Sequence, residues 1–367
     1  WMQDIGFTQS KNDPCVYHRP TDRITSDTGR GMVHTGIQQE EVDLQEYGYV
    51  RSRKDPNMYV RYALTAASHV DDILTRGHRQ ATAAFWAAVG TRFAVKTWDI
   101  VDYDNPLVYC AKRISKVNRE GQVWYTLDQT EDIRVFLEDH GMSTARAQHA
   151  PMPDKHEISS DPELATAQEH KMYRSQVGSL MYFTETRNDI MYEVSRLSQG
   201  IAAPTKGHMK ALRRVMAYLN TVPDMRLCVP RVAGDTWHIY SDSDHAGDTT
   251  VGTNRSHTGI VILLNGMPIH WKSNKQPITS YSSACAEIYA LSECCREARL
   301  IAWIAEEMGR QVPWPLVVHV DNAAGVSYQH STCASSKLRG VYDQRSDWVK
   351  ELKDQSSATA VKVKTEK

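Results

Sequence analysis

From Trp237 onward the sequence sets out an order of elements that few folds can accommodate. WHIYSD (237–242) has the composition of a strand and TGIVILL (258–264) of a second. Asn265-Gly266 is a hairpin signal, leading into a third strand, MPIHWK (267–272). Ser282 and Ser283 stand where an N-cap belongs, before a helix from about Ala286 to Met308. PLVVHV (315–320) is a fully apolar strand that stops at Asp321. A second helix follows, and AVKVK (360–364) starts a last strand. Three strands, a helix, a strand, a helix and a strand predict an α/β domain with a mixed sheet flanked by helices.

Three acidic residues stand at the boundaries of these elements. Asp242 closes the first strand, Glu287 opens the long helix and Asp321 closes the fourth strand. If the first and fourth strands are parallel neighbours, both aspartates leave the sheet at one edge, where ligands gather in such sheets. Glu287, one helical turn in, is able to reach the same point. Each residue alone also reads as a turn former or a helix-dipole partner. Together they make an oxygen-rich anionic cage suited to Mg²⁺, with Mn²⁺ as an alternative. Two such ions about 4 Å apart activate water and stabilise a leaving phosphodiester oxygen, so the three carboxylates are expected within about 6 Å of one another. Asp244 lies two residues beyond Asp242, and the family resemblance given below makes it the alternative ligand.

Upstream, residues 170–220 carry helical periodicity. Leu212, Val215, Met216 and Leu219 form one stripe, with Lys206, Lys210, Arg213 and Arg214 on the other side. Those four cations are either a solvated face or a phosphate-contacting one. Residues 141–170 are polar and proline-bearing and read as a linker. Residues 128–141 and 79–100 read as helices, and 107–127 as a hairpin turning at Glu120-Gly121. Asp71-Asp72 sits at the turn between two short strands. GFTQSKNDPCVYHR (6–19) returns as GYVRSRKDPNMYVR (48–61), a local duplication or a joining error in the gene; between the copies, 20–47 reads as a loop.

The net charge of -1 offers no general argument for a polyanionic partner. No apolar run approaches the ~18 residues of a membrane span, and no leader opens the chain, so neither membrane insertion nor secretion is expected. The 7 cysteines are scattered without a Cys-x-x-Cys pair, which fits a reducing compartment. The sequence opens on Trp1 and reads as a fragment or as an internal piece of a polyprotein.

YSDSDHAGD (240–248), RSHTGIVILLNGMPIHWKSNKQ (255–276), SSACAEIYALSE (282–293) and VHVDNAAGV (318–326) resemble the RNase H domain of copia-type LTR retrotransposon polyproteins. SQVGSLMYFTETRNDIMYEVSRLSQ (175–199) and HMKALRRVMAYL (208–219) resemble that family's connecting region, with Asn188 in place of its proline. GFTQSKNDPCVYHR and HVDDIL resemble the reverse-transcriptase palm, with His69 in place of its tyrosine. The resemblance implies a partial, duplicated palm over 1–78, a thumb-like part over 79–150, linker and connection over 151–230, and an RNase H-like domain over 231–367. Its fold would be an RNase H-like mixed sheet preceded by an incomplete α+β palm and a helical thumb and connection. It implies metal ligation by Asp242, Glu287 and Asp321, a polymerase remnant at Asp71 and Asp72 unable to polymerise alone, and Mg²⁺-dependent cleavage of RNA in RNA–DNA hybrids. The implied partners are nucleic acid and the rest of the polyprotein; the implied place is the cytoplasm, in a virus-like particle, or the nucleus. The family's fourth carboxylate follows the last strand, beyond Lys367, so weak cleavage, or cleavage at raised Mg²⁺ or with Mn²⁺, is expected. The alternatives are a decayed, inactive element and a non-catalytic module that binds nucleic acid.

Overall fold

A computed structural model describes residues 8–9, 17–18, 30–36, 50–55, 58–61, 64–69, 72–91, 95, 99–152, 158, 161–230, 234–245, 255–330 and 344–363. The chain divides into two compact units. One holds residues 1–127, 229–231 and 300–311, the other 128–228, 232–299 and 312–367. Among the described residues no helix is long and apolar enough to cross a membrane.

In the first unit, β1 (Thr8–Gln9) and β2 (Tyr17–His18) pair antiparallel, Thr8 opposite His18 and Gln9 opposite Tyr17. β3 spans Arg30–Gly36, β4 Val50–Arg51, β5 Met58–Arg61, β6 Leu64–His69 and β7 Asp72–His78. β4 and β5 pair Val50 with Val60 and Arg51 with Tyr59. Equivalent residues of the two sequence copies therefore take the same partners, and the duplication is of one hairpin unit. The second copy forms the edge of a sheet ordered β4-β5-β6-β7-β3-β8, with β8 at Asp99–Ile100. It extends the sheet at its edge.

Two expectations fail in this unit. Residues 20–47 are not all loop: β3 pairs with β7 from Arg30–His78 to Gly36–Asp72. Its glycines and single valine make a poor local strand signal, and pairing along the edge of β7 overrides it. The helix expected over 79–100 is α1, Arg79–Gly90, burying Phe85, Trp86 and Val89. It stops at a glycine, a poor helix former, and Asp99–Ile100 pairs with β3 instead. β9 (Leu107–Tyr109), β10 (Lys112–Arg119) and β11 (Gln122–Asp128) follow. The turn at Glu120-Gly121 has positive φ at both residues, 52° and 79°, which favours glycine at the second.

In the second unit α2 (Thr130–Asp139), α3 (Ala167–Phe183), α4 (Met191–Ser198) and α5 (Lys206–Thr221) share a core. Ile133, Phe136, Tyr173, Leu180, Leu197 and Leu212 lie at its centre. Thr166 and Glu169 cap α3 reciprocally. The stretch expected as a linker is docked: Ala165 donates to Pro204 O, Lys206 to Glu163 O and Gly207 to Asp161 O. These bonds are backbone to backbone, so no side-chain pattern announces them. A Cβ on Gly207 would sit 2.2 Å from the Ile158 carbonyl oxygen. Gly207→Ala should therefore cost about 1–3 kcal/mol in urea unfolding, as over-packing does; a neutral change would show that the segment yields freely.

α4 also buries the Glu193 carboxyl, whose Oε2 has no hydrogen-bond partner. Burial, with a smaller push from Asp189, raises its pKa to about 7. A folded pKa above the unfolded value means stability present below about pH 4.5 and lost as pH rises through about 7, by roughly 3 kcal/mol. Tm should fall between pH 5 and 8, and Glu193→Gln should flatten that fall; an equal slope in both proteins would assign the titration elsewhere.

After β12 (Leu227–Pro230) comes the sheet of β13 (Trp237–Asp244), β14 (His257–Leu264), β15 (Met267–Lys275), β16 (Leu316–Val320) and β17 (Ala358–Lys362). Its order is β15-β14-β13-β16-β17. The three consecutive strands are antiparallel, and β16 runs parallel to both β13 and β17. The expected mixed sheet is present, with α6 (Ser283–Glu307), α7 (Ala323–His330) and α8 (Gln344–Asp354) as its helices. α6 begins three residues before the expected Ala286, with Ser282 Oγ accepting from Cys285 N. Along β13, Ile239 and Ser241 are buried while Tyr240 and Asp242 are exposed. The fully buried Cys294 and Cys295 fill the α6 side, Cys294 Sγ lying 3.7 Å from Tyr240 O.

Candidate metal centre

The parallel pairing of Ile239 with Val318 and Tyr240 with His319 sends β13 and β16 out at one edge. Asp242 lies near the end of β13, and Asp321 follows β16 directly. Glu287 comes from the second turn of α6. One carboxylate oxygen from each of the three lies within 4.8 Å of the others. The convergence expected from sequence is met, inside the 6 Å that a shared two-ion site requires.

The three differ in environment. Asp242 and Asp321 are exposed, whereas Glu287 is 6% exposed and its Oε2 has no hydrogen-bond partner. Burial raises the Glu287 pKa to about 7, with Asp242 and Asp321 adding repulsion; Ser243 works in the opposite direction. A buried, unpartnered carboxylate oxygen between two other carboxylates is costly unless something positive meets it. An all-oxygen donor set of this charge fits a hard divalent cation such as Mg²⁺.

The carboxylates open into a cleft of about 640 Å³, lined also by Ser243, Asp244, Asn322, Ala323 and Lys362. Asp244, the alternative ligand, lines the cleft without joining the converging three. Sequence reasoning passed over Ser243, Asn322 and Lys362. Asn322 had a signal in its adjacency to Asp321. Lys362 had none, because its place depends on the register of β17 against β16.

The other candidate residues are dispersed. Asp72 opens β7 opposite His69, so the expected two strands form, and Asp71 lies outside the described residues. Asp72 joins no metal-capable group of three among the described residues. On α5 the apolar stripe is buried as expected. Lys210 and Arg213 are exposed and Arg214 is half-buried. Lys206 is committed within the fold, its Nζ 2.7 and 2.8 Å from the Glu169 carboxylate, which it holds at a pKa of about 2.

The turn that carries Asn188 holds a buried clamp. Arg187, 1% exposed, donates from Nε and Nη2 to both oxygens of Asp189, at 2.9 and 2.8 Å, and from Nη1 to Val222 O. Tyr218 OH donates to Asp189 Oδ2, joining the turn before α4 to α5.

No family model matches the chain. It is 34% identical over 303 residues to the retrovirus-related Pol polyprotein from transposon RE2 of Arabidopsis thaliana, covering 78% of this chain and 19% of that one. It is 25% identical over 332 residues to the corresponding polyprotein from transposon TNT 1-94 of Nicotiana tabacum, covering 86% and 24%. The chain thus spans about a fifth to a quarter of the length of these relatives. Among solved structures, LC11-RNase H1 in complex with an RNA/DNA hybrid matches 35% of this chain and 86% of that one, at 15% identity and a TM-score of 0.27. With the sequence resemblance running through both compact units, the chain belongs to the retrovirus-related Pol polyproteins of transposons.

Proposed function

We propose that residues 231–367 form a divalent-metal-dependent nuclease of the RNase H type, cleaving the RNA strand of an RNA–DNA hybrid. The convergence of Asp242, Glu287 and Asp321 within 4.8 Å carries this reading. Those three residues would hold Mg²⁺, or Mn²⁺ in its place. When bound, such ions supply an activated water and charge stabilisation at the leaving oxygen. The protein's own part is to gather charge at one sheet edge and to orient it. Parallel β13 and β16 fix the two exposed aspartates, and α6 holds Glu287 in a dry position where its charge acts at short range. Glu287 gives up its proton to become a ligand, so loading should be favoured as pH rises.

The remaining assignments are proposals of the same reading: palm over 1–78, thumb over 79–150, linker and connection over 151–230, with Asp71 and Asp72 a polymerase remnant. Lys210 and Arg213, with Arg214, are proposed phosphate contacts; Lys206 is tied to Glu169. The proposed setting is the cytoplasm, in a virus-like particle, or the nucleus, with the rest of a polyprotein as partner.

The test is a hybrid labelled separately on each strand. RNA cleavage with Mg²⁺ or Mn²⁺ is expected, none with a chelator, and the DNA strand should stay intact. Absence of cleavage with either ion would overturn the nuclease reading, and hybrid binding without cleavage would favour the non-catalytic module.

A further inference from the structure

We propose that Lys362 is the phosphodiester-contacting residue of the carboxylate cleft, its ammonium binding a non-bridging oxygen of the nucleic-acid strand beside the cations held by Asp242, Glu287 and Asp321. This rests on the nuclease reading above and adds to it a substrate-binding group from a strand that supplies no carboxylate.

β17 runs parallel to β16, so its carboxyl end emerges at the edge that carries Asp321. Lys362 is registered against Val320, the residue before Asp321, and Val363 N donates to Val320 O at 2.9 Å. That bond holds the backbone on the far side of Lys362, so the base of the side chain is fixed. The side chain lines the cleft together with Asp242, Asp244, Glu287 and Asp321, and it is the one cation among the described residues that does so. The residue is exposed, and its ammonium enters no ion pair or hydrogen bond with another described residue.

The charge pattern gives this position a use. Ionised carboxylates alone repel a phosphodiester, and cations bound to them reverse that repulsion only where the cations sit. An ammonium on the wall gives the strand a second anchoring point and so fixes its orientation across the carboxylates. Lysine suits the task as a compact point charge with three donors on a flexible stem. With no strand present, the same charge opposes the entry of a divalent cation. Lys362 should therefore help nucleic acid to bind and hinder metal that arrives alone, two effects of opposite sign from one group. A lysine serving only as a solvated surface charge would produce neither.

The experiment uses the full chain with Lys362→Met, which keeps the stem, and Lys362→Arg, which keeps the charge. Binding of a labelled RNA–DNA hybrid is followed by anisotropy in Ca²⁺ across a salt series, and Mn²⁺ binding is titrated without nucleic acid. Lys362→Met should weaken hybrid binding about ten-fold and reduce the slope of log affinity against log salt by about one. It should also bind Mn²⁺ several-fold more tightly than the parent. Lys362→Arg should restore both hybrid affinity and slope. Unchanged affinity and slope in Lys362→Met, failure of Arg to restore them, or a parent protein that binds no hybrid would overturn the proposal. A parent that binds hybrid through Lys362 yet cleaves nothing would overturn the nuclease reading and leave this contact standing. A parent that cleaves while Lys362→Met binds like it would do the reverse.

Discussion

Asp321→Asn should reduce metal-dependent hybrid cleavage on the order of 10²–10³-fold or more, with no loss of thermal stability. The substitution keeps the shape of the side chain and removes one charge from a group of three. On the proposed reading divalent ions would be held by charge and by oxygen donors, and an amide supplies one weaker donor and no charge. Stability should hold because Asp321 is exposed and its charge pushes on the buried Glu287. Relief of that push should bring the Glu287 pKa down from about 7, so the variant should unfold at the same temperature or slightly higher. Asp347 supplies the control. It is an exposed carboxylate in the first turn of α8 and does not line the cleft. Asp347→Asn should cleave like the parent. Loss of cleavage in both variants would point to bulk charge as the cause, and retention in both would remove Asp321 from the metal centre.

The carboxylate cluster was legible because its residues sit at boundaries that local sequence marks well. The strand composition of 237–242 and 258–264, the Asn265-Gly266 turn with φ of 54° and 78°, and the serines before α6 each place an element. A carboxylate at such an end is then located by topology alone. Features made by pairing with distant backbone were not legible. β3 has glycine at two of its seven positions and forms because β7 offers an edge. Residues 161–165 dock through the backbone of Asp161, Glu163 and Ala165, which any sequence possesses. Lys362 belongs with these, since one residue of slip in β17 would carry it to the other face. Glu193 was missed for another reason: a glutamate on an amphipathic helix reads as solvated, and only the packed structure reveals it as buried.

Asp189→Ala should destabilise the helical part of the second unit by about 3–5 kcal/mol, the largest stability effect expected of any single change here. Arg187 is 1% exposed and its guanidinium cannot shed its proton, so loss of Asp189 leaves a full positive charge in a dry site. Two charge-assisted bonds disappear and Tyr218 loses its acceptor, while the bond from Arg187 Nη1 to Val222 O remains. Tyr218→Phe, which removes one hydroxyl bond and no charge, should cost only about 1 kcal/mol. Replacing both members, Arg187→Met with Asp189→Leu, should recover much of the loss, because no charge is then stranded. Urea unfolding of Arg187→Met alone, Asp189→Leu alone, the pair and the parent closes a cycle, and the coupling between the two sites should be strongly favourable. If Asp189→Ala costs less than about 1 kcal/mol, water must reach the guanidinium in solution, and the clamp would be an exposed ion pair of ordinary weight. If the pair of changes costs as much as Asp189→Ala alone, the loss comes from packing around the turn at Asn188–Ile190, and charge has no special part in it.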